Sequence, residues 1–233
     1  MSHRGQLVTN STCIEKSVCN DKSIHTGNRL LGDCLTLWKS IVSSGFSHSV
    51  LSSSDYDGVV LAKSLGQPTD GVATHFFTLG NDPDEILHVI DVIQAEISSG
   101  DQRSILAISV ALTEALSNSI FHGNLELSSR LREEERDLYH LLAEERRLIE
   151  PYCDRKVYLS ASVTTRRATF VAQDEGPGFD ILALADPLDD ENIAKPSGRG
   201  VLMIRHYMDQ VEFNSTGNRI TMSRALQPSV DRH

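Results

Sequence analysis

The sequence predicts an α/β domain in which amphipathic helices cover one face of a mixed, mainly antiparallel sheet. Two segments alternate apolar and polar residues on both sides of a turn, and each predicts a β-hairpin: "KVYLSASVTTRRATFVAQD" and "VEFNSTGNRITMSRA". A strand-like segment, "ATHFFTLG", is followed by two segments whose apolar residues recur at helical spacing. Hairpin strands combined with amphipathic helices are typical of a sheet covered by helices.

The composition is that of a globular protein, and it argues against two classes of partner. The chain has 233 residues, of which 39% are hydrophobic and 23% charged, with a formal net charge of −10. This charge opposes direct binding of nucleic acid, because a duplex requires a basic protein face. No apolar run approaches membrane-spanning length and no signal peptide is recognised, so no membrane association is expected.

The cysteines favour a cytoplasmic protein. The chain has four of them, and none has the C-x-x-C or cysteine–histidine spacing of a zinc site: Cys13, Cys19, Cys34 and Cys153. We expect free, reduced thiols, as is usual in the cytoplasm.

Residues 1–70 are predicted to form an N-terminal extension. The first 28 residues are polar and lack periodicity, so they are expected to be largely disordered. An amphipathic helix is predicted at about 29–42, with an apolar face that includes Trp38. That face is expected to pack on the protein's own domain, or alternatively on a homodimer mate or another partner. The serine-rich segment 43–58 is expected to be a loop.

The folded domain is predicted over residues 73–226, with a short tail over 227–233. After the first strand, "NDPDE" has the residue types of a capped helix start, with Asp82 as the N-cap residue. A second helix is predicted from about 104 to 122, and a short helix from about 201 to 208.

Residues 125–152 are predicted to form a helical insertion. The segment is dense in charge and has only a thin apolar stripe, consisting of Leu127, Leu131, Leu138, Leu142 and Ile149. A solvated helix with ion pairs four residues apart is one interpretation. A helix that binds a partner is the alternative.

Three polar residues follow one another at steps of four in "TEALSNSIFHGN". At helical spacing Glu114, Asn118 and His122 fall on one side, opposite an apolar face formed by Ile105, Ile108, Leu112, Leu116 and Ile120. The apolar face can pack on the sheet, which leaves the polar stripe for solvent or for a ligand.

Two glycine clusters follow. "DEGPGF" places Asp174 at a strand end, and its glycines let backbone approach a ligand. "SGRGVLMI" places Gly198 and Gly200 just before a helix, where backbone N–H groups favour phosphate. Each cluster alone also fits an ordinary tight turn. The ordered combination with the E-x-x-x-N stripe is a much stronger signal.

This ordered set resembles the motifs of the GHKL, or Bergerat-fold, ATP-binding superfamily. The likeness is closest to RsbW-type anti-sigma-factor serine/threonine kinases, through "HFFTLGNDPDEI", the "HGN" ending, "DEGPGFD", "KPSGRGVLMIRHYMDQV" and "TGNRITM". The resemblance implies a two-layer α/β sandwich. ATP would be held between a mobile lid over about 179–197 and the helix that carries Glu114, Asn118 and His122, called the stripe helix below.

The resemblance also implies roles for single residues. Glu114 would be the general base, Asn118 the Mg²⁺ ligand beside the phosphates, and Asp174 the acceptor of the adenine amino group. Gly176 and Gly178 would shape the floor of the nucleotide site, and Gly198 and Gly200 would form the end of the lid. Lys195 and Arg199 in the lid could neutralise phosphate charge, or could equally be solvated. For His122 we expect only a structural hydrogen bond that closes the helix.

The function implied is an ATP-dependent serine/threonine kinase that phosphorylates an anti-anti-sigma partner and sequesters a sigma factor. A non-catalytic, ATP-dependent binding switch is the alternative, and Glu114 separates the two, because only a kinase requires it. A histidine-kinase-like ATPase domain is a weaker alternative. His88 lies inside a predicted helix and lacks the acidic residue that usually follows a phosphoacceptor histidine.

Overall fold

Seven strands form one sheet in the computed structural model, which describes residues 50–56, 59–65, 73–97, 102–181 and 199–227. The strands are β1 (Val50–Tyr56), β2 (Val59–Leu65), β3 (Ala73–Leu79), β4 (Val157–Val163), β5 (Arg167–Asp174), β6 (Gln210–Phe213) and β7 (Arg219–Ala225). Their spatial order is β1-β2-β3-β4-β5-β7-β6. All of these neighbours pair antiparallel, so the predicted α/β fold with a mainly antiparallel sheet is confirmed.

Both predicted hairpins are present. Strands β4 and β5 pair from Val163 and Ala168 to Val157 and Asp174, and β6 pairs with β7 across a turn that contains Gly217. The loop predicted over 43–58 is wrong where the structure describes it, because β1 and β2 extend the sheet beyond β3. The sheet therefore begins within the segment that was assigned to the N-terminal extension.

Five α-helices are described: α1 (Glu85–Glu96), α2 (Gln102–Ser117), α3 (Ser129–Glu134), α4 (Arg136–Arg146) and α5 (Arg199–Tyr207). Helix α2 continues as a π-helical turn over Asn118–Asn124, and a 3₁₀ turn over Tyr152–Asp154 precedes β4. Helix α1 packs on β3 and α2, while α5 packs on α2 and β6.

The core lies between the sheet and the helices. Along β5 the residues Ala168, Phe170, Ala172 and Asp174 are buried, while their neighbours are only half-buried or exposed. The apolar face predicted for α2 is confirmed, since Ile108, Leu112, Leu116 and Ile120 are fully buried and Ile105 packs against them. This packing makes a two-layer sandwich and turns the polar side of α2 away from the sheet.

Helix α1 begins slightly later than the sequence predicts. It starts at Glu85, after a turn in which the carboxylate of Asp82 accepts from the backbone N–H of Asp84 at 3.1 Å. The carboxylate of Glu85 reaches back to accept from the N–H of Gly80 at 2.7 Å, instead of closing a capping box with Asp82. Burial raises the pKa of Glu85 above its usual value, although this hydrogen bond opposes the effect.

The continuous helical segment Gln102–Asn124 is long and apolar enough to cross a membrane by length and composition alone. This corrects the expectation that no segment approaches that length. Half of its most apolar stretch is buried within the protein, as in the core helix of a soluble domain, which passes the same test.

The insertion forms two short helices instead of one. Helices α3 and α4 are separated at Glu135, and exposed ion pairs of the expected kind occur, such as Arg130 to Glu134 at 2.8 Å. Its buried residues are Leu125, Leu127, Tyr139 and Ala143, whereas Leu138 of the predicted stripe is exposed. The break at Glu135 changes the helical phase, so the apolar stripe read from the sequence does not continue through it.

Several expectations lie outside the described residues. These are the helix at 29–42, most of the lid, Lys195, Gly198 and nearly all of the C-terminal tail. Among the cysteines, Cys153 is disulfide-bonded, so the expectation of a free thiol is wrong at this position.

Two leucines of α2 test this packing. Leu116 is fully buried, whereas Leu106 is 64% exposed. Leu116→Ala should lower the free energy of unfolding by about 3 kcal/mol, because it removes buried methyl groups and leaves a cavity. Leu106→Ala should change it by less than about 0.5 kcal/mol. Denaturant titration measures both values, and equal losses would contradict the described orientation of α2.

Candidate functional site

Glu114 and Asn118 lie beside the first turn of α5. A Cβ atom placed on Gly200 would be 2.8 Å from Glu114 Oε2 and 3.2 Å from Asn118 Nδ2. Glycine at this position therefore lets the helix start approach both side chains. The first N–H groups of a helix have no partner within the helix, so this end can bind an anion. The site therefore combines a carboxylate, an amide and an anion-binding helix end.

Asp174 forms a second centre at the end of β5. Its backbone is held by Asn218: the Asp174 N–H donates to the Asn218 carbonyl at 3.0 Å, and Asn218 Nδ2 donates to the Asp174 carbonyl at 3.2 Å. Its carboxylate accepts from the N–H of Gly176 at 2.9 Å and from the hydroxyl of Ser119. Strand end and loop together fix the direction of this side chain.

Burial raises the pKa of Asp174 to about 6. The hydrogen bonds from Gly176 and Ser119 and the positive charge of Arg155 act in the opposite direction and favour the ionised form. At neutral pH the site therefore presents a buried, mostly ionised carboxylate. Such a group is a strong acceptor for a directed hydrogen bond from a ligand.

Two glycines let backbone approach Asp174 closely. A Cβ on Gly123 would be 2.4 Å from the Asp174 carboxyl carbon, and one on Gly176 would be 2.2 Å from the Gly123 carbonyl oxygen. The end of the stripe helix and the D-x-G-x-G loop are thus in contact, with no side chain from either glycine above the carboxylate. A flat group that carries a hydrogen-bond donor, such as adenine, fits this arrangement.

Gly178 serves the packing of the loop. Its φ is 79°, which strongly favours glycine, and a Cβ would be 2.0 Å from the Thr216 carbonyl oxygen. The loop after Asp174 therefore packs on the turn between β6 and β7. The ring of Phe179 adds an edge contact with Phe213, with ring centres 5.4 Å apart. The nucleotide-floor role implied for Gly178 stays a prediction.

The predicted polar stripe ends at Asn118. The π-helical turn begins there, and its wider backbone changes the phase of the residues that follow. His122 Nδ1 makes a 2.6 Å hydrogen bond with the Leu127 carbonyl, which confirms the structural bond expected for His122. The pair beside Gly200 therefore consists of Glu114 and Asn118.

The remaining predicted residues are less informative. Arg199 is exposed on the first turn of α5, while Lys195 and Gly198 lie outside the described residues. Within the described part of the chain, no group of three or more His, Cys, Asp or Glu side chains could hold a metal ion. The side chain of Asn118 offers one amide oxygen. This oxygen can bind Mg²⁺ when phosphate oxygens and water supply the other ligands of the cation.

Sequence reasoning missed three residues of this site: Ser119, Gly123 and Asn124. Ser119 bonds the Asp174 carboxylate, Gly123 contacts it, and the fully buried Asn124 bonds the loop that follows it. The only signal was "HGN", a glycine followed by a polar residue at a helix end, which also fits an ordinary helix stop.

The sequence matches the family described as histidine kinase-like ATPase domain over residues 81–224, which is more than half of the chain. The matched range contains both centres of the site, the pair beside Gly200 and Asp174. No curated protein matches the sequence.

Asp174→Asn tests the second centre through ligand affinity. If this carboxylate accepts the adenine amino group, the substitution replaces a charge-assisted hydrogen bond with a neutral one. ATP binding should weaken by about 1–3 kcal/mol. Isothermal calorimetry measures the change, and wild-type affinity in Asp174→Asn would remove Asp174 from the site.

The same variant should show a pH-dependent gain in stability. Because the pKa of Asp174 rises from 3.8 to about 6 on folding, the unfolded chain releases this proton first as pH increases. The folded state then loses stability between about pH 4 and pH 6, by about 3 kcal/mol in total. Asp174→Asn removes this loss, so its advantage over wild type should be small near pH 4 and full near pH 7. An advantage that does not change with pH would contradict the burial of this charge.

Gly123→Ala tests the close approach. The added methyl would lie 2.4 Å from the Asp174 carboxyl carbon, so the carboxylate must move. We expect at least about a tenfold loss of ATP affinity, comparable to one lost hydrogen bond. The control is Gly80→Ala, whose methyl would lie 3.1 Å from Oε1 of the flexible Glu85 side chain. Unchanged ATP affinity in Gly123→Ala would contradict this geometry.

Proposed function

Since this chain belongs to the histidine kinase-like ATPase domain family, whose domains bind ATP, we propose that it is an ATP-dependent serine/threonine kinase of the anti-sigma-factor type. Its substrate is a small anti-anti-sigma protein, and its regulatory output is the sequestration of a sigma factor. A cytoplasmic location is part of this proposal, because a sigma factor acts in that compartment.

The contact between Glu114, Asn118 and Gly200 is the observation that supports a catalytic role best. It brings an acid within reach of the helix end that favours phosphate, only one helical turn from an amide suited to Mg²⁺. A module that only bound nucleotide would need the amide and the helix end, but not the acid.

In the proposed reaction, bound ATP with Mg²⁺ supplies the γ-phosphoryl group. Asn118 provides one oxygen ligand for the cation, and the first turn of α5 donates backbone N–H groups toward phosphate oxygens. Glu114 accepts the proton of a serine or threonine hydroxyl on the partner protein, while the hydroxyl oxygen bonds to phosphorus and ADP leaves. Asp174 orients the nucleotide through its base.

Glu114→Ala should separate catalysis from binding. The variant should still bind ATP with Mg²⁺, because the affinity comes from Asp174, Asn118 and the backbone. It should lose phosphate transfer by roughly 10²–10⁴-fold, as is usual for a positioned proton acceptor. Glu114→Gln should be almost as impaired, because an amide keeps the shape without being a base. Asn118→Ala should bind ATP without dependence on Mg²⁺.

The assay requires the partner. A pull-down with ATP or ADP, followed by phosphosite mapping, would identify the substrate for transfer measurements. Thr113→Ala is a matched control, since Thr113 is exposed beside Glu114, and its hydroxyl donates to the Ser109 carbonyl of its own helix. Undiminished transfer by Glu114→Ala would rule out its role as base. Tight ATP binding by wild type without transfer to any partner would favour a non-catalytic switch.

A further inference from the structure

We propose that Asn124 is a positioning residue for the adenine end of the site, because its side-chain amide fixes the loop that begins at Asp174 to the end of the stripe helix. The inference rests on the proposed binding of ATP between Asp174 and the pair Glu114 and Asn118. It adds a residue to which the sequence motifs assign no role.

The side chain of Asn124 is completely buried, with 0% of its surface exposed. Its Oδ1 accepts from the backbone N–H of Glu175 at 2.9 Å, and its Nδ2 donates to Oδ1 of Asn81 at 2.8 Å. Glu175 directly follows Asp174. The first of these bonds therefore holds the peptide unit that links Asp174 to the rest of the glycine loop.

The orientation of this amide is set by a second buried amide. Asn81, which is 7% exposed, donates from Nδ2 to the Tyr152 carbonyl at 2.7 Å and to the Arg155 carbonyl at 3.1 Å. Asn81 Oδ1 must then face Asn124 and accept from its Nδ2. The Oδ1 of Asn124 is thereby directed toward the N–H of Glu175. Each amide presents a donor where the next group is an acceptor, so the chain of bonds has one consistent direction.

The side chain of Arg155 holds the backbone of Asn124. Its NH1 donates to the Asn124 carbonyl and to Glu126 Oε1, at 2.7 Å each, and its guanidinium lies 5.1 Å from the centre of the Tyr152 ring. The end of the stripe helix is therefore attached to the segment between the 3₁₀ turn and β4. Burial raises the pKa of Asp174, and the charge of Arg155 is one of several smaller effects that oppose this rise.

An asparagine is needed at this position for two reasons. An apolar residue of similar size would leave the N–H of Glu175 and Oδ1 of Asn81 without these partners. The loss is costly because Asn81 is buried and Asn124 is completely buried. An aspartate would place a buried carboxylate against Oδ1 of Asn81, acceptor against acceptor. If Asn81 turned to donate, it would lose its bonds to the two carbonyls.

The network should affect the two ends of the site differently. Glu114 lies on α2, and Asn118 lies at the first residue of the π-helical turn, six residues before Asn124. Asp174 is directly followed by Glu175, whose N–H makes the bond. Loss of the bond should let the Asp174 carboxylate shift away from the base, while the phosphate end stays in place. GTP carries a carbonyl where ATP carries the adenine amino group. We therefore expect GTP to bind more weakly than ATP and to depend little on this alignment.

The experiment compares ATP, GTP and tripolyphosphate binding by calorimetry in wild type and Asn124→Ala. Asn124→Ala should bind ATP roughly tenfold more weakly, the equivalent of one hydrogen bond. Its preference for ATP over GTP should fall by a similar factor, with tripolyphosphate affinity unchanged. Thr164→Ala is the control, because it removes turn hydrogen bonds to Arg166 and Arg167 at the opposite end of β5. It should lose stability without a change in the ATP-to-GTP ratio.

If Asn124→Ala fails to fold, a second variant and a measurement on the wild type still test the inference. Asn81→Ala keeps the bond to Glu175 but removes its support, so it should show a smaller loss of ATP preference in the same direction. In the wild type without nucleotide, the Glu175 amide should exchange at least about tenfold more slowly than an unprotected amide.

Three results would overturn this inference without overturning the proposed function. The first two are an unchanged ATP preference in folded Asn124→Ala and an unprotected Glu175 amide. The third is a parallel loss of ATP and tripolyphosphate affinity, which indicates general damage to the site. Absence of ATP binding by the wild type would instead overturn the proposed site together with this inference.

Discussion

The site depends on one continuous helical segment, Gln102–Asn124, whose apolar face is packed on the sheet. Because the packing fixes both its position and its rotation, Glu114 and Asn118 face the start of α5, and Gly123 lies against Asp174. The two centres belong to different strands and helices. The segment carries Glu114 and Asn118 and contacts Asp174 through Gly123, so it links the two centres directly.

The segment also changes geometry where the site requires it. An α-helical turn throughout would continue the stripe of steps of four, but the π-helical turn over Asn118–Asn124 redirects the last residues toward the loop after β5. His122 then bonds the chain beyond the helix, while Asn124 bonds the loop. A buried acid with a pKa of about 6 lies at this junction, which is a cost to stability that is common at functional sites.

Much of the fold could be predicted because it follows local periodicity: the two hairpins, the strand at β3 and the buried face of α2 each follow a regular pattern. Strand β1 was missed because its serine-rich sequence resembles a loop, and its pairing with β2 is a tertiary property. In the site, Glu114, Asn118 and Asp174 belong to recognisable motifs. Gly123 and Asn124 could not be identified, because their roles exist only once the end of β5 lies beside the helix end.

A crystal structure of the protein with Mg²⁺ and a non-hydrolysable ATP analogue tests the proposed site most directly. We expect the adenine amino group within hydrogen-bond distance of the Asp174 carboxylate. We also expect the γ-phosphate beside Asn118 and the first turn of α5, with the cation bound to the Asn118 oxygen. A nucleotide bound away from Asp174, or with its phosphates at Asp174 and its base at Asn118, would contradict the proposed site.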